Sequence, residues 1–362
     1  DFTMKTDADG IATITWDVVG KSMNVLSLEG WDDLDGCVTD ALGDDAVKGI
    51  VITSGKDTFA GGMDLNVIAK MKAMSGDDPA AGLMDGLMKS HAILRKIERA
   101  NLDPKTNKGG KPVACVLPGT ALGIGFEIPL ACHRIFAADN PKAKIGLPEI
   151  MVGIFPGMGG TTRLARKMGA MAASPFLLEG KLSDPKKAKS AGLIDEVSSD
   201  PMADARAWVL SATDADIVKP WDAKGYKMPG GAPYHPAGFM TFVGASAMVN
   251  GKTQGAFPAA KALLSAVYEG ALVPFDTALK IDEPQQRGDD PQPVHQQGST
   301  GERREPARCA RSEGLQAGRH RRGHDGRGHH LCFSERRYRS RIDRPRTGRR
   351  RQGKVLFRRH PR

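Results

Sequence analysis

The chain has 362 residues with 40% hydrophobic side chains, enough for two or three domains and a large core, which excludes a fibrous or wholly disordered polymer. Its formal charge of +10 is an average over unlike parts. Residues 301–362 hold 20 Arg and 1 Lys against 6 acids (net +15), which leaves 31 basic and 36 acidic residues in 1–300 (net −5). The front part is mildly acidic and shows no sign of a polyanion partner, so nucleic acid is not expected to bind. Cys37, Cys115, Cys132, Cys309 and Cys332 form no C-x-x-C and no close pair. Structural metal and a disulfide framework are therefore both unexpected, and a reducing compartment is favoured. No run approaches the roughly 18 apolar residues of a membrane span, and no signal segment opens the chain, so a cytoplasmic protein without an integral membrane segment is expected. The first residue is Asp1 rather than Met, and a trimmed N-terminus is expected.

Taken in order, "GIATITWDV" (10–18) alternates as a strand does, and "VKGIVITSG" (47–55) is a short buried strand. Between them "LSLEGWDDLDGCVTDALGD" (26–44) has helical spacing. "LMDGLMKSHAILRKIERA" (83–100) predicts a helix with a basic last turn, which suits the macrodipole. "KPVACVLPGTALGIGFEIPLACHRIFAA" (111–138) reads as buried strand, Gly-rich turn, helix and strand. "KIGLPEIMVGIFPGMGGTTRLARKMG" (144–169) follows as strand, polar loop, Pro/Gly turn and helix. Residues 170–215 read as helical with a turn into a strand at 189–197. Residues 219–258, rich in Gly, Pro and Met, read as a connecting segment, and 259–281 as an amphipathic helical hairpin. After Ile281 apolar periodicity disappears. This succession predicts an α/β core.

Two Gly-rich turns could carry chemistry: "FAGGMDL" (59–65) after a strand, and "GTALGIGFE" (119–127) opening a helix. Glycine permits close backbone approach, and a helix N-terminus offers unpaired N–H groups. Two converging N–H groups would form an oxyanion hole, although on spacing alone ordinary tight turns explain both segments equally well. Glu127 and Glu149 each stand in apolar surroundings just past such turns. A buried acid is costly unless it has a partner or a task, while taken singly a helix-cap acid at Glu127 and an exposed loop acid at Glu149 are the plainer readings.

These segments carry a resemblance. "DTFAGGMDL", "GTALGIGFEIPLACHRI", "LPEIMVGIFPGMGGTTRLARKMG" and "FLLEGKLSDPKKAKSAGLIDEV" resemble, in order, the signature segments of the crotonase (enoyl-CoA hydratase/isomerase) superfamily. "AVYEGALVPFDTAL" (266–279) is similar to the linker of bacterial fatty acid β-oxidation complex α subunits, which joins a hydratase to a 3-hydroxyacyl-CoA dehydrogenase. The resemblance covers about residues 1–281. It implies a spiral of ββα units giving two sheets, with flanking helices, over 1–200, followed by a helical extension over 201–281.

It further implies an acyl-CoA substrate whose thioester oxygen lies between the backbone N–H groups of Met63 and Ile124. Glu127 and Glu149 would hold a water, one deprotonated and one protonated, for addition across a 2-trans double bond. Gly61, Gly62, Asp64, Gly123, Gly125, Pro148 and Gly157 would support these loops, and no metal is expected. The family usually has glycine at position 124. Isoleucine keeps the N–H but resists positive φ and is expected to crowd the thioester, weakening activity relative to glycine. A crotonase-fold isomerase or another acyl-CoA enzyme is an alternative, and an inactive fragment is another. The hydratase would use no cofactor. NAD would serve only a missing dehydrogenase domain. A thiolase β subunit and an oligomeric state belong to the intact complex.

The tail reads differently. Relatives of this kind continue from about residue 310 into a dinucleotide-binding domain, yet no G-x-G-x-x-G follows here. Read one nucleotide forward, permissible codons for 319–344 admit V-I-G-A-G-M-M-G-A-G-I-T-Y-V-S-A-N-A-G-I-E-V-V-L-I-D. That peptide is a strand, a Gly-rich turn at the Arg321 codon, a helix, and a strand ending in an acid at the Arg344 codon. A lost reading frame near 282–288 is therefore expected, with 282–362 a disordered basic tail. A nucleic-acid-binding arm and a His/Cys metal site are the less favoured readings.

Overall fold

The strand over 10–18 forms, but it is the second strand of its sheet rather than the first. The computed structural model describes residues 1–63, 79–253 and 257–286, which lie within a unit spanning Asp1–Gln296; the second unit, Gln297–Arg362, falls outside the described residues. β1 (Phe2–Thr6) pairs antiparallel with β2 (Ile11–Trp16) across a turn in which the Asp7 carboxylate accepts from the Asp9 and Ile11 N–H groups and Gly10 takes φ 83°. Sequence reading misses β1 because only Phe2 in it is buried, so it shows no apolar run.

From β2 onward the sheet is parallel, in the order β1-β2-β3-β4-β6-β8, with β3 at Gly49–Ser54, β4 at Val113–Leu117, β6 at Arg134–Ala138 and β8 at Glu196–Ser198. A second, two-stranded sheet joins β5 (Ala121–Leu122) to β7 (Ile145–Gly146). Side chains alternate between the faces of the large sheet, as the pleat requires. Ile50, Ile52, Cys115, Leu117 and Ile135 enter the main core. Val51, Ala114, Val116 and Phe136 pack instead under Ala205 and Val209 of a single helix, Pro201–Ser211. Burial on both faces is why β3 and β4 read as unbroken apolar runs.

The main core lies under helices. α1 (Leu28–Gly43) starts at Ser27, whose hydroxyl accepts from the Gly30 N–H at 2.9 Å, and buries Trp31, Leu34, Val38 and Leu42. α2 spans Pro79–Arg99, α3 Ile124–Ala131, α4 Gly160–Met168, α5 Ala170–Leu178, α6 Pro185–Ala191, and α7 is the sheet-covering helix at 201–211. Residues 219–258, expected to be a connecting segment, instead contain α8 (Pro236–Thr253), which buries Phe242 and Val249. Three glycines and an exposed Phe239, Met240 and Val243 blur its periodicity, so tertiary packing rather than pattern establishes it. The expected hairpin is present as α9 (Pro258–Gly270) and α10 (Phe275–Gln286), the second running five residues past Ile281. The expected disorder and frame loss beyond Gln286 lie outside the described residues.

One ionic contact sits wholly inside this core. Arg163 of α4 and Glu98 of α2 are both fully buried, with Nε donating to Oε1 at 2.9 Å and Nη2 to Oε2 at 3.1 Å. Arg95, itself largely buried, adds a contact to Glu98 Oε2 at 3.0 Å. Glu98→Gln leaves a buried guanidinium without its counter-charge and is expected to lower unfolding free energy by about 3–5 kcal/mol in urea titration. Asp32→Asn, which breaks the exposed pair with Lys89, is expected to cost under about 1 kcal/mol.

Candidate active site

The two Gly-rich segments lie side by side because backbone hydrogen bonds lace them together. Phe59 and Ala60 N–H donate to the Thr120 carbonyl at 2.9 and 3.1 Å, and Leu122 N–H donates to Ala60 O at 3.0 Å. Gly61 N–H donates to Asn24 O at 2.8 Å, and Leu26 N–H to Gly62 O at 3.1 Å, which places Met63 in a bridge with Leu26. That bridge uses the Gly62 carbonyl and leaves the Met63 N–H outside it. Ile124 is the first residue of α3, and its N–H has no intrahelical acceptor. Asp64 lies outside the described residues.

Several glycines are fixed by space. A Cβ on Gly125 would stand 2.6 Å from the Ala60 Cβ, so α3 could not close on the first loop. Gly61 is held against the Met23 sulfur, where a Cβ would stand at 2.5 Å. Gly62 and Gly123 take φ of 117° and 57°, and Gly123 lies between Gly62 and the Glu149 carboxylate. This corrects one expectation: the left-handed residue of the second turn is Gly123, whereas Ile124 has negative φ and sits 3% exposed in the core, so isoleucine brings no backbone strain.

The acids are held differently. Glu127, in the first turn of α3, is 2% exposed, and its Oε1 accepts the Met158 N–H at 2.9 Å and the Gly160 N–H at 2.7 Å. A Cβ on Gly160 would stand 2.8 Å from that carboxylate, so the position admits only glycine. Burial pushes the Glu127 carboxyl up to about 7, against the two N–H donors and the nearby Arg163. Glu149 opens a 3-10 turn (Glu149–Val152) after Pro148. Its Oε2 is buried with no hydrogen-bond partner among the described residues. Burial first, and then the Glu127 charge, push Glu149 up to about 8. Gly123, whose carbonyl accepts the Glu127 N–H at 3.0 Å, also stands against Glu149, where a Cβ would meet Oε1 at 3.1 Å, so the two acids flank one turn. Gly157 begins the turn that presents Met158 and Gly160.

Sequence reading missed the residues behind this arrangement. Asn24 is fully buried, and its amide binds Trp16 O, Ser54 Oγ and Phe59 O at 2.8–3.0 Å, anchoring the first loop. Met158, Gly160 and Arg163 were all legible only as part of "GMGGTTR", a Gly run opening a helix. An apolar cavity of about 220 Å³ between α5, α8 and α9 includes none of the site residues in its lining. Among the described residues, no cluster of His, Cys, Asp and Glu could hold a metal ion, and no helix is long and apolar enough to cross a membrane.

Known proteins are similar to this chain in sequence and in fold. The chain is 30% identical over 285 residues to the fatty acid oxidation complex subunit alpha of Shewanella oneidensis, covering 78% of this chain and 38% of that protein. It is 36% identical over 197 residues to the subunit of the same name from Idiomarina loihiensis, covering 54% of this chain and 26% of that protein. The chain therefore spans well under half the length of these relatives. The crystal structure of an enoyl-CoA hydratase/isomerase from Xanthobacter autotrophicus Py2 superposes with a TM-score of 0.51 at 20% identity, over 79% of this chain and 87% of that one, and shares the fold. The profile of the enoyl-CoA hydratase/isomerase family matches residues 6–213, more than half of the chain, and the chain belongs to that family.

Proposed function

We propose that this chain hydrates a 2-trans-enoyl-CoA to the 3-hydroxyacyl-CoA, as a step of fatty acid β-oxidation. The observation that carries this reading is the pair of buried acids at one site, each raised toward neutrality and each in a different environment. Family members that isomerise or hydrolyse need one acid or another arrangement, whereas adding water calls for a base and an acid together.

The environments assign the roles. Glu127 accepts two N–H donors and faces Arg163, so it is the better-supported carboxylate and serves as the base. Glu149 lacks a partner for Oε2 and feels the Glu127 charge, so it is the protonated member and serves as the acid. Water bound between them gives a proton to Glu127 as its oxygen attacks C3 of the enoyl group. Glu149 delivers its proton to C2. The enolate oxygen that forms in between is stabilised by the Met63 and Ile124 N–H groups, with Gly61, Gly62, Gly123 and Gly125 shaping the two loops and Pro148 and Gly157 setting the turns that bring the acids in.

Hydration by this route uses no cofactor. We read the chain as the front portion of a longer fatty-acid-oxidation subunit, in which NAD would serve a dehydrogenase segment beyond the hairpin, and a thiolase subunit and further copies would be the partners. The domain limits in this reading are 1–200 for the hydratase, 201–281 for its helical extension, and the out-of-frame remnant after that.

Glu127→Gln and Glu149→Gln are each expected to lower kcat/KM for crotonyl-CoA hydration by about 10²–10⁴, while 3-enoyl-CoA isomerisation stays below hydration in the wild type. Retention of hydration by either variant would sink the acid-pair mechanism. Ile124→Gly keeps the donor N–H and removes the side chain beside it. Its kcat/KM for a short enoyl-CoA is expected to rise, and its unfolding free energy to fall by about 2–5 kcal/mol as a buried side chain is lost.

The raised Glu149 carboxyl also makes a stability prediction. Its folded value of about 8 exceeds the ordinary 4.5, so the native state holds the proton more tightly. That contribution is fully present below the ordinary value and lost as pH rises through the folded one. Glu149→Gln should therefore gain stability relative to wild type between about pH 5 and pH 9 in urea titrations, and a constant difference across that range would contradict the burial of this acid.

A further inference from the structure

The helical hairpin α9–α10 has no part in the proposed mechanism, yet it packs against the acid site from behind. Phe275 and Leu279, one turn apart on α10, are both buried and form a cluster with Trp221 of the 3-10 turn Pro220–Asp222. The Phe275 ring lies flat on the Trp221 ring, with centroids 5.0 Å apart and planes 7° from parallel. Three guanidinium groups gather around the same ring, with carbon-to-centroid distances of 4.7 Å for Arg95, 5.6 Å for Arg163 and 5.9 Å for Arg166. Such cation–ring attraction is strongest where water is excluded. The approach to α10 is fixed as well. Arg166 Nη2 donates to Gly270 O at 2.7 Å and to Val273 O at 2.5 Å, and Arg95 Nε donates to Asp276 Oδ1 at 2.8 Å.

The residues beneath this contact are the ones that hold Glu127. Arg163 binds Glu98 and donates from Nη1 to Met158 O at 2.9 Å, within the turn whose Met158 and Gly160 N–H groups reach the Glu127 carboxylate. Leu279 bears on that turn directly, since a Cβ on Gly159 would stand 2.7 Å from its Cδ2. Trp221 carries the contact in the other direction. Lys219 Nζ lies 5.3 Å from the Trp221 ring centroid and donates to Leu130 O at 2.9 Å and to Cys132 O. Those carbonyls stand at the C-terminal end of α3, the helix that carries Ile124 and Glu127. The hairpin thus packs on both the helix of the acid and the turn that supplies its donors.

We propose that Phe275 and Leu279 are positioning residues of the acid site, holding Arg163 and Gly159 so that the Met158 and Gly160 N–H groups converge on the Glu127 carboxylate. The inference rests on the reading of Glu127 as the base of hydration. The charged and titratable groups around Glu127 and its turn are Arg163 and Arg166 from α4, with His91, Arg95 and Glu98 from α2. Glu149 faces it from its 3-10 turn, Lys219 stands at the far end of α3, and α10 brings Asp276, which Arg95 takes up. Phe275 and Leu279 carry no charge, so replacing them removes none of these charges and reaches Glu127 through the geometry of its donors. A carboxylate whose N–H donors are weakened holds its proton more tightly.

The test follows the Glu127 carboxyl by ¹³C NMR of the full chain labelled at glutamate side chains, with the signal assigned by its loss in Glu127→Gln. In Leu279→Ala and in Phe275→Leu the Glu127 titration is expected about half a pH unit above wild type, and the acidic limb of kcat/KM for crotonyl-CoA should move with it. Leu263→Ala is the control: it removes a buried leucine from the same hairpin, but one that lines the cavity between α5, α8 and α9. It should leave the titration and the limb in place, because general loosening of the hairpin scales the profile without moving it. An unshifted Glu127 in Leu279→Ala, or an equal shift in Leu263→Ala, overturns the proposal. Should the α10 variants not fold, amide hydrogen exchange of the wild type decides. The Met158 and Gly160 amides should exchange no later than those of α10, and their protection after α10 has exchanged overturns the proposal. Absence of hydration by the wild type would remove the hydratase reading, while the carboxyl titration would still decide the role of α10.

Discussion

The arrangement of the acid site depends on the Arg163–Glu98 pair. Two charges with no solvent exposure carry a large desolvation cost, which is offset only when the guanidinium fork and the carboxylate match in geometry and the remaining donors are used. Here they are used: Nε and Nη2 go to Glu98, and Nη1 goes to the Met158 carbonyl. The pair thereby ties α2 to α4 and fixes the turn between Phe155 and Gly160 at the same time. Without that bond, little would force the Met158 and Gly160 N–H groups to point at one oxygen of Glu127. A contact that contributes modestly to net stability thus decides where the site's donors point.

The loops that flank the thioester position in the proposed mechanism have a different basis. They hold few side-chain hydrogen bonds of their own and are positioned by backbone-to-backbone bonds running from Asn24 through Gly61 and Ala60 to Thr120 and Leu122. This lacing demands that neighbouring backbones touch, which is why Gly61 and Gly125 cannot carry a Cβ. Asn24 is the fixed end of the chain of contacts, because its buried amide reaches Trp16 O, Ser54 Oγ and Phe59 O and so joins β2, β3 and the loop. Preorganised donors of this sort need no rearrangement when charge develops.

Much of this could be read in the residues, and the misses have physical causes. α1 was legible because burial of one face writes a period into its apolar residues, β3 and β4 because burial on both faces leaves unbroken apolar runs, and the Gly-rich turns because few residues permit such close backbone approach. Glu127 and Glu149 stood out as acids in apolar surroundings. β1 and α8 were not legible: one is an edge strand with a single buried side chain, and the other packs its helix through scattered residues amid glycines. Glu98, Arg163 and His91 were hidden for another reason. Each looks like an ordinary polar residue on an amphipathic helix, and only the packing of α2 on α4, 65 positions apart at Glu98 and Arg163, turns them inward. At position 124 the local rule was sound but applied one residue late, because the positive φ belongs to Gly123.

In the proposed mechanism the two acids, one residue type, take opposite roles at a single turn. Burial raises both carboxyls, so burial alone cannot separate them. What separates them is backbone. Glu127 meets two backbone N–H groups, and these donors, with Arg163, recover part of the cost of its charge. Glu149 sits at the start of a 3-10 turn that offers its Oε2 nothing, and it meets the Glu127 charge instead. The difference between them is therefore built from main-chain geometry that two glycines, Gly123 and Gly160, make sterically possible, since a Cβ at either would stand about 3 Å from one of the carboxylates. A side chain at either glycine would press on a carboxylate directly, so in the proposed mechanism the protonation of the pair depends on the backbone as much as on the acids themselves.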